Sequence, residues 1–262
     1  MAGAGAIAVC GGGPQLDLLR GPGTAQALVH PGVGATMRAM HHLVLGGDGE
    51  TVGLNHPSDA VYYVLSGEGR VSADGQDFPL AEGAMIHIDA GTPYRLHAGP
   101  AGMAVVGGPA PVDPGLYDAG APPPATTSAS DIAGTGREGV RLFHRDRPDL
   151  FMPLISTDAR LVIWPGVGAL AANMNYVKMA PGEENVPHVH PVSEDTIYIV
   201  EGRGSVRNVD DDTVQEFRAG EAIFVPAGVQ HQVRADAGVP VVSVGGPCPP
   251  DYEMLRRLGA EF

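Results

Sequence analysis

The stretch GEENVPHVHPVSEDTIYIVEGRG (182–204) decides the reading of this chain. His188 and His190 stand two apart, so on a strand both imidazoles leave the same face. Glu194 and Asp195 follow after a short turn. TIYIV (196–200) is a β-branched and aromatic run that reads as a second strand, stopped by Gly202 and Gly204. Farther on, GEAIFVPAGVQHQ (220–232) reads as a strand, a Pro/Gly turn and a third histidine, His231. Three imidazoles and a carboxylate on adjacent antiparallel strands can close round one divalent ion at about 2.0–2.2 Å.

The rest of the chain has a composition that suits such strands. Of 262 residues, 38 are Gly and 24 are Pro, and only 18% are charged, which favours short strands and tight turns over long helices. The formal net charge of −14 argues against nucleic acid and anionic membrane surfaces as partners. No apolar run approaches the roughly 20 residues of a membrane span. The start, MAGAGAIAVCGGG, lacks a basic segment of the kind that opens a secretory signal. Cys10 and Cys248 are far apart in sequence and read as free thiols, so a reducing cytoplasm is the expected compartment.

Internal duplication is the second strong signal. HPGVGATMRAMHHLVL (30–45) parallels WPGVGALAANMNYVKM (164–179), VYYVLSGEG (61–69) parallels the strand before Gly204, and GGP recurs at 107–109 and 245–247. Turn signals every 8–12 residues give each copy the look of an antiparallel sandwich or barrel. The organisation expected is an arm over 1–27, a first unit over 28–118, a Pro/Ala/Ser/Thr linker over 119–136, a second unit over 137–255 and the end of a helix over 256–262. Gln15 and the residues up to Arg20 suggest a helical turn within the arm. Pro250 and Asp251 open a short amphipathic run at the other end, read as a capping helix.

Aligned by the repeat, His188 faces Leu54, His190 faces His56, Asp195 faces Ala60, and His231 faces Tyr94. One of four candidate ligands survives in the first unit. A lone imidazole cannot hold a divalent ion against water, so that unit is expected to be metal-free and structural.

The two stretches resemble the paired motifs of the cupin superfamily. Gly182, His188, His190, Asp195 and Gly202 match the first motif, and Gly220, Pro226, Gly228 and His231 match the second. Two departures stand out: Ala235 replaces a frequent Asn, and the acid, usually Glu, is Asp. Counting from Gly202 selects Asp195, whereas residue type favours Glu194. The resemblance implies an all-β protein of two tandem double-stranded β-helix barrels of jelly-roll type, a bicupin, with metal bound by His188, His190, Asp195 and His231. Glu194, if not a ligand, is a general base beside the metal. Tyr176, like Asn175, Lys178 and Gln232, is a polar group near the ligand strands that can orient substrate.

Four protein ligands leave up to two positions of an octahedral ion for water, O₂ or substrate, and mixed imidazole and carboxylate donors suit Fe, Mn, Zn or Ni. Three functional classes follow. The first is a dioxygenase or other oxidoreductase acting on a small chelating molecule, working as a homodimer. The second is a non-redox isomerase, lyase or hydrolase using the ion as Lewis acid. In length and in carrying the motif only in its second unit, the chain is similar to the ureidoglycine aminohydrolases, which are manganese bicupins. That family has Glu and Gln where His188 and His231 stand, so its activity does not carry over. The third class is a non-catalytic small-molecule binder.

Overall fold

The computed structural model describes residues 5–117 and 139–260, so the linker expected over 119–136 lies outside the described residues. Strands dominate. The α-helix among the described residues is the short Tyr252–Arg257, N-capped by Asp251, whose carboxylate accepts from Met254 N at 2.9 Å. Among the described residues, no helix is long and apolar enough to cross a membrane.

The duplication appears as two barrels with the same strand order. In the first, Ala84–Ile88, Asp59–Ala73, Tyr94–Ala110, Met40–Leu45 and Gly23–Val29 lie side by side, all antiparallel. In the second the corresponding strands are Ala222–Val225, Glu194–Glu201, Val241–Cys248, Met174–Met179 and Asp158–Ile163. A further sheet of Val214–Arg218, Arg203–Asn208 and His231–Ala235 completes the second barrel. The motif glycines Gly182, Gly202, Gly220 and Gly228 all have φ between 75° and 90°. At Gly202 a Cβ would lie 2.0 Å from Pro240 O, so no other residue fits that turn.

The segments that precede each barrel are exchanged. Ala8–Cys10 adds to the second barrel, pairing Ala8 with Phe224 and Cys10 with Ala222. Val140–His144 adds to the first, pairing Val140 with Ile88 and His144 with Ala84. Each insertion covers a sheet edge that would otherwise expose unpaired N–H and C=O groups. Three sequence expectations change. Val140–His144, assigned to the second unit by sequence, is hydrogen-bonded into the first, and the first barrel begins at Gly23, inside the presumed arm. The helical turn suggested at 15–20 does not form: Gln15 bridges Gln26, and Leu19–Arg20 pairs with Glu50–Thr51.

Both faces of the central sheets are buried. Ala60, Tyr62 and Val64 point into the first barrel, with Leu43, Leu54, Ile86 and Leu96. Val61 and Tyr63, one residue out of phase, join Met174, Tyr176, Tyr198, Phe224 and Val244 in a core between the barrels. Cys10 and Cys248 are free and buried.

Candidate metal centre and its cavity

The three histidines are set by backbone before any ion is considered. His188 and His231 face each other in a two-residue bridge, exchanging hydrogen bonds of 3.1 and 2.9 Å, and Gly228 N donates to His190 O at 2.9 Å. Imidazole centroids lie 4.3 Å apart for His188 and His231, 5.0 Å for His188 and His190, and 5.7 Å for His190 and His231. Asp195 Oδ2 is 3.8 Å from His190 Nε2 and 3.5 Å from His231 Nε2, and one donor atom from each of the four residues falls within 4.8 Å of all the others. An ion with bonds of about 2.0–2.2 Å separates its ligands by roughly 3–4.4 Å, so the set is of the right size.

The outer hydrogen bonds fix the tautomers. His188 Nδ1 meets Val186 O at 3.0 Å, His231 Nδ1 meets Val229 O at 3.2 Å, and His190 Nδ1 meets Asp251 Oδ2 at 2.8 Å. Each acceptor holds a proton on Nδ1 and leaves the Nε2 lone pair turned inward. Two atoms of the set, His231 Nε2 and Asp195 Oδ1, are buried without a hydrogen-bond partner. Buried polar atoms are rarely left so, and a cation satisfies both. Burial, followed by the neighbouring His231 and His190, holds His188 down to about 4, so it is neutral at physiological pH. Burial opposes ionisation of Asp195, but the imidazoles of His231, His190 and His188 beside it outweigh burial and hold the carboxyl at about 2. His188 and Asp195 are therefore deprotonated, and the donor set fits a divalent metal ion.

Asp251 was not identified as part of the site from sequence. It caps the terminal helix and holds His190 with the same carboxylate. Burial works against its ionisation, and His190 with the helix N–H groups of Met254 and Glu253 keeps it below the usual carboxylate range. A readable signal existed. Asp113 and Asp251 each stand two residues after a proline in the repeat, APVD (110–113) and CPPD (248–251), and both of those X-Pro bonds are cis.

The two remaining site expectations are corrected. Glu194 is neither ligand nor base. Its carboxylate accepts from Thr36 N at 3.0 Å, Thr36 Oγ1 at 2.7 Å and Met37 N at 2.8 Å, tying the second barrel to a loop of the first. Adjacent residues on a strand leave opposite faces, so with Asp195 inward Glu194 must point between the barrels. The same parity removes Tyr176, which packs between the barrels against Tyr63, with the guanidinium groups of Arg145 and Arg160 at 5.6 and 5.1 Å from its ring centroid. Of the other polar candidates, Asn175 lines the cavity, Lys178 is exposed, and Gln232 donates to Asn185 O at 2.9 Å.

The cavity beside the histidines has a volume of about 60 Å³. Its polar lining is His188, His190, Asp195, Asp251, Asn173, Asn175, Asn185 and Ser243, and most of the rest is apolar, including Val177, Met179, Ile197 and Leu255. A wider mouth of about 320 Å³ opens past His188, Ile155 and Met254, rimmed by the exposed Leu154, Val186 and Val189. A second group of potential ligands, Asp59, His87 and Asp89, is already served by a cation: Arg141 Nη2 lies 2.9 Å from His87 Nδ1 and 3.1 Å from Asp89 Oδ1.

Known proteins agree with this architecture. The cupin-domain family profile matches residues 41–106 and 175–244, just over half of the chain. A wheat (Triticum aestivum) oxalate oxidase is 33% identical over 81 residues, 29% of this chain and 36% of that protein. The chain thus spans about a third of the length of the curated relatives it matches. Among solved structures, an oxalate decarboxylase of Bacillus subtilis superposes with a TM-score of 0.69 at 15% identity, covering 96% of this chain and 78% of that one. The protein Ylba of E. coli gives 0.65 at 17% identity, over 96% and 94%. With two matches to one domain profile and two barrels of one strand order, the chain belongs to the cupin family and is a bicupin.

Proposed function

We propose that this bicupin is a metal-dependent enzyme that binds one divalent ion through His188, His190, Asp195 and His231 and acts on a small chelating, oxygenated substrate as an oxidoreductase of dioxygenase type. The observation that carries the reading is the convergence of three Nε2 atoms, their Nδ1 protons all engaged, with a carboxylate beside a cavity. Four protein ligands leave up to two octahedral positions free, the arrangement of a catalytic and not a structural site. The bound ion supplies Lewis acidity, and redox chemistry with O₂ if it is redox-active. The protein's own part is positional: Asp251 orients His190, the apolar wall limits water, and Asn173 and Asn175 offer amide groups to a ligand. The proposed ion is Fe, Mn, Zn or Ni, and Mn(II) centres are named for the B. subtilis oxalate decarboxylase.

A second reading, a non-redox lyase, isomerase or hydrolase on the same ion, is favoured by the structural likeness to decarboxylases over nearly the whole chain. Elemental analysis of protein purified without added metal, combined with an O₂-uptake screen, separates the two. Iron or manganese with O₂ uptake supports the oxidoreductase. Anaerobic turnover on a zinc-loaded enzyme transfers the proposal to the second class. Sizing chromatography with light scattering tests the proposed homodimer.

A further inference from the structure

The relatives named for oxalate invite the assumption of a dicarboxylate substrate, and the cavity wall argues otherwise. Among the described residues, the ionisable side chains that line it are His188, His190, Asp195 and Asp251, with no Lys or Arg. The two carboxylates already balance the charge of a divalent ion. An incoming dianion would leave two negative charges uncompensated against Val177, Met179, Ile197 and Leu255, and buried charge without a partner is strongly disfavoured. The nearest buried cation, Arg38, is fully buried one backbone layer behind the wall, with Nη1 on Asn173 O at 2.8 Å and on Gly246 O at 3.4 Å. Its Nη groups are thus turned to protein atoms.

The wall also carries unmet hydrogen-bonding capacity. Asn173 Oδ1 and Asn175 Oδ1 are both buried without a partner and both residues line the cavity. Asn173 is 2% exposed. Asn175 is pressed against Gly246, where an added Cβ would sit 2.8 Å from Asn175 Nδ2, so the glycine lets the amide stand at the wall. Buried amides of this kind call for a ligand polar group, because their cost is recovered only when paired. About 60 Å³ corresponds to roughly four to six waters at 10–15 Å³ each, so the inner chamber holds the chelating head and the wider mouth, mostly apolar and with its Arg257 already paired with Glu253, receives a short tail.

We infer that the site takes an at most singly charged oxygen chelator with a compact apolar body and a hydrogen-bond donor for Asn173 Oδ1 and Asn175 Oδ1, such as a branched 2-hydroxy monocarboxylate, in preference to a dicarboxylate. This rests on the metal reading above. The test is electron paramagnetic resonance of Mn(II)-loaded protein titrated with 3-methyl-2-hydroxybutanoate and, separately, with oxalate. Wild-type protein that holds no Mn(II), or holds it equally in the His190→Ala variant, overturns the metal reading itself. With Mn(II) bound through His190, the monocarboxylate is expected to perturb the protein-bound signal with an apparent Kd at least tenfold below that of oxalate. Equal or tighter binding of oxalate overturns the inference and leaves the metal site standing. Asn175→Leu is expected to weaken the hydroxy acid about tenfold without changing Mn(II) affinity. An unchanged Kd for the hydroxy acid in that variant overturns the assignment of the amide.

Discussion

The two barrels carry the same scaffold and fill it with different chemistry. Where the second gathers imidazoles and a carboxylate, the first runs a buried chain of hydrogen bonds. Tyr62 Oη and Tyr94 Oη are 2.7 Å apart, Tyr94 Oη is 3.1 Å from His56 Nε2, and His56 Nδ1 is 2.9 Å from Asp113 Oδ2. Residue for residue, Leu54 and Tyr94 form the same bridge that His188 and His231 form in the second barrel. Asp113 stands where Asp251 stands, capping the short helix Pro114–Leu116 as Asp251 caps Tyr252–Arg257. The outer carboxylate and its histidine are thus kept in both halves. In the first, the phenol of Tyr94 supplies to His56 Nε2 the partner that a cation would supply to His190. Burial pushes the Tyr62 phenol up to about 12 and Tyr94 well above its usual value, so both remain protonated. A site can lose its metal without leaving a buried imidazole unpaired, provided a hydroxyl enters in its place.

The sharpest break of this comparison is at the neighbouring acids. Asp195→Asn is expected to reduce bound metal from one ion per chain to almost none by elemental analysis. Glu194→Gln should keep the metal and lose roughly 1–3 kcal/mol of stability in denaturant unfolding, because it weakens the tie to Thr36 and Met37. Metal loss in both variants would contradict the opposite facing of the two side chains.

Next in size is the strand exchange. Deleting residues 1–11 removes Ile7 and Cys10, each 5% exposed, and uncovers the edge of Ala222–Val225. Burying side chains of this size is worth roughly 1.5–3 kcal/mol each, so a loss of about 3–5 kcal/mol is expected. Hydrogen exchange should quicken in the second barrel before the first. Faster exchange in the first barrel instead would contradict the pairing.

The paired outer carboxylates come third. Asp251→Asn should weaken metal affinity by about 10–100-fold, the usual consequence of losing a carboxylate behind a ligating histidine. Asp113→Asn should leave metal affinity unchanged and lower stability by about 1–3 kcal/mol, since His56 loses its ionised acceptor.

The smallest effect is one of pH. His188 is held at about 4 in the folded protein against 6.5 unfolded, so as pH falls the unfolded chain takes up the proton first. Its contribution is whole above about pH 6.5 and declines toward pH 4, by at most about 1.4 kcal/mol per pH unit. His41, held at about 3 by burial, behaves alike in the first barrel. Metal-free protein should therefore lose stability between pH 6.5 and 4, and stabilisation by added Mn(II) should shrink as pH falls through about 4, where His188 takes up its proton in the folded protein. Stabilisation by Mn(II) that is independent of pH would show that His188 is not a ligand.

Much of this was legible in the chain. The repeat announces two barrels, the spacing of His188, His190, Asp195 and His231 brings them onto neighbouring strands, and the positive-φ glycines mark where those strands must turn. Local spacing is enough there because a two-residue period and a tight turn are short-range constraints. The choice between Glu194 and Asp195, and the fate of Tyr176, needed the tertiary structure. The sheet is buried on both faces, one toward its own barrel and one toward the other, so alternation of polar and apolar residues no longer says which face is which. The exchange of Ala8–Cys10 and Val140–His144 is of the same kind. Short strands with unpaired edges can pair with either barrel, and only the packed arrangement of the two decides which edge each one covers.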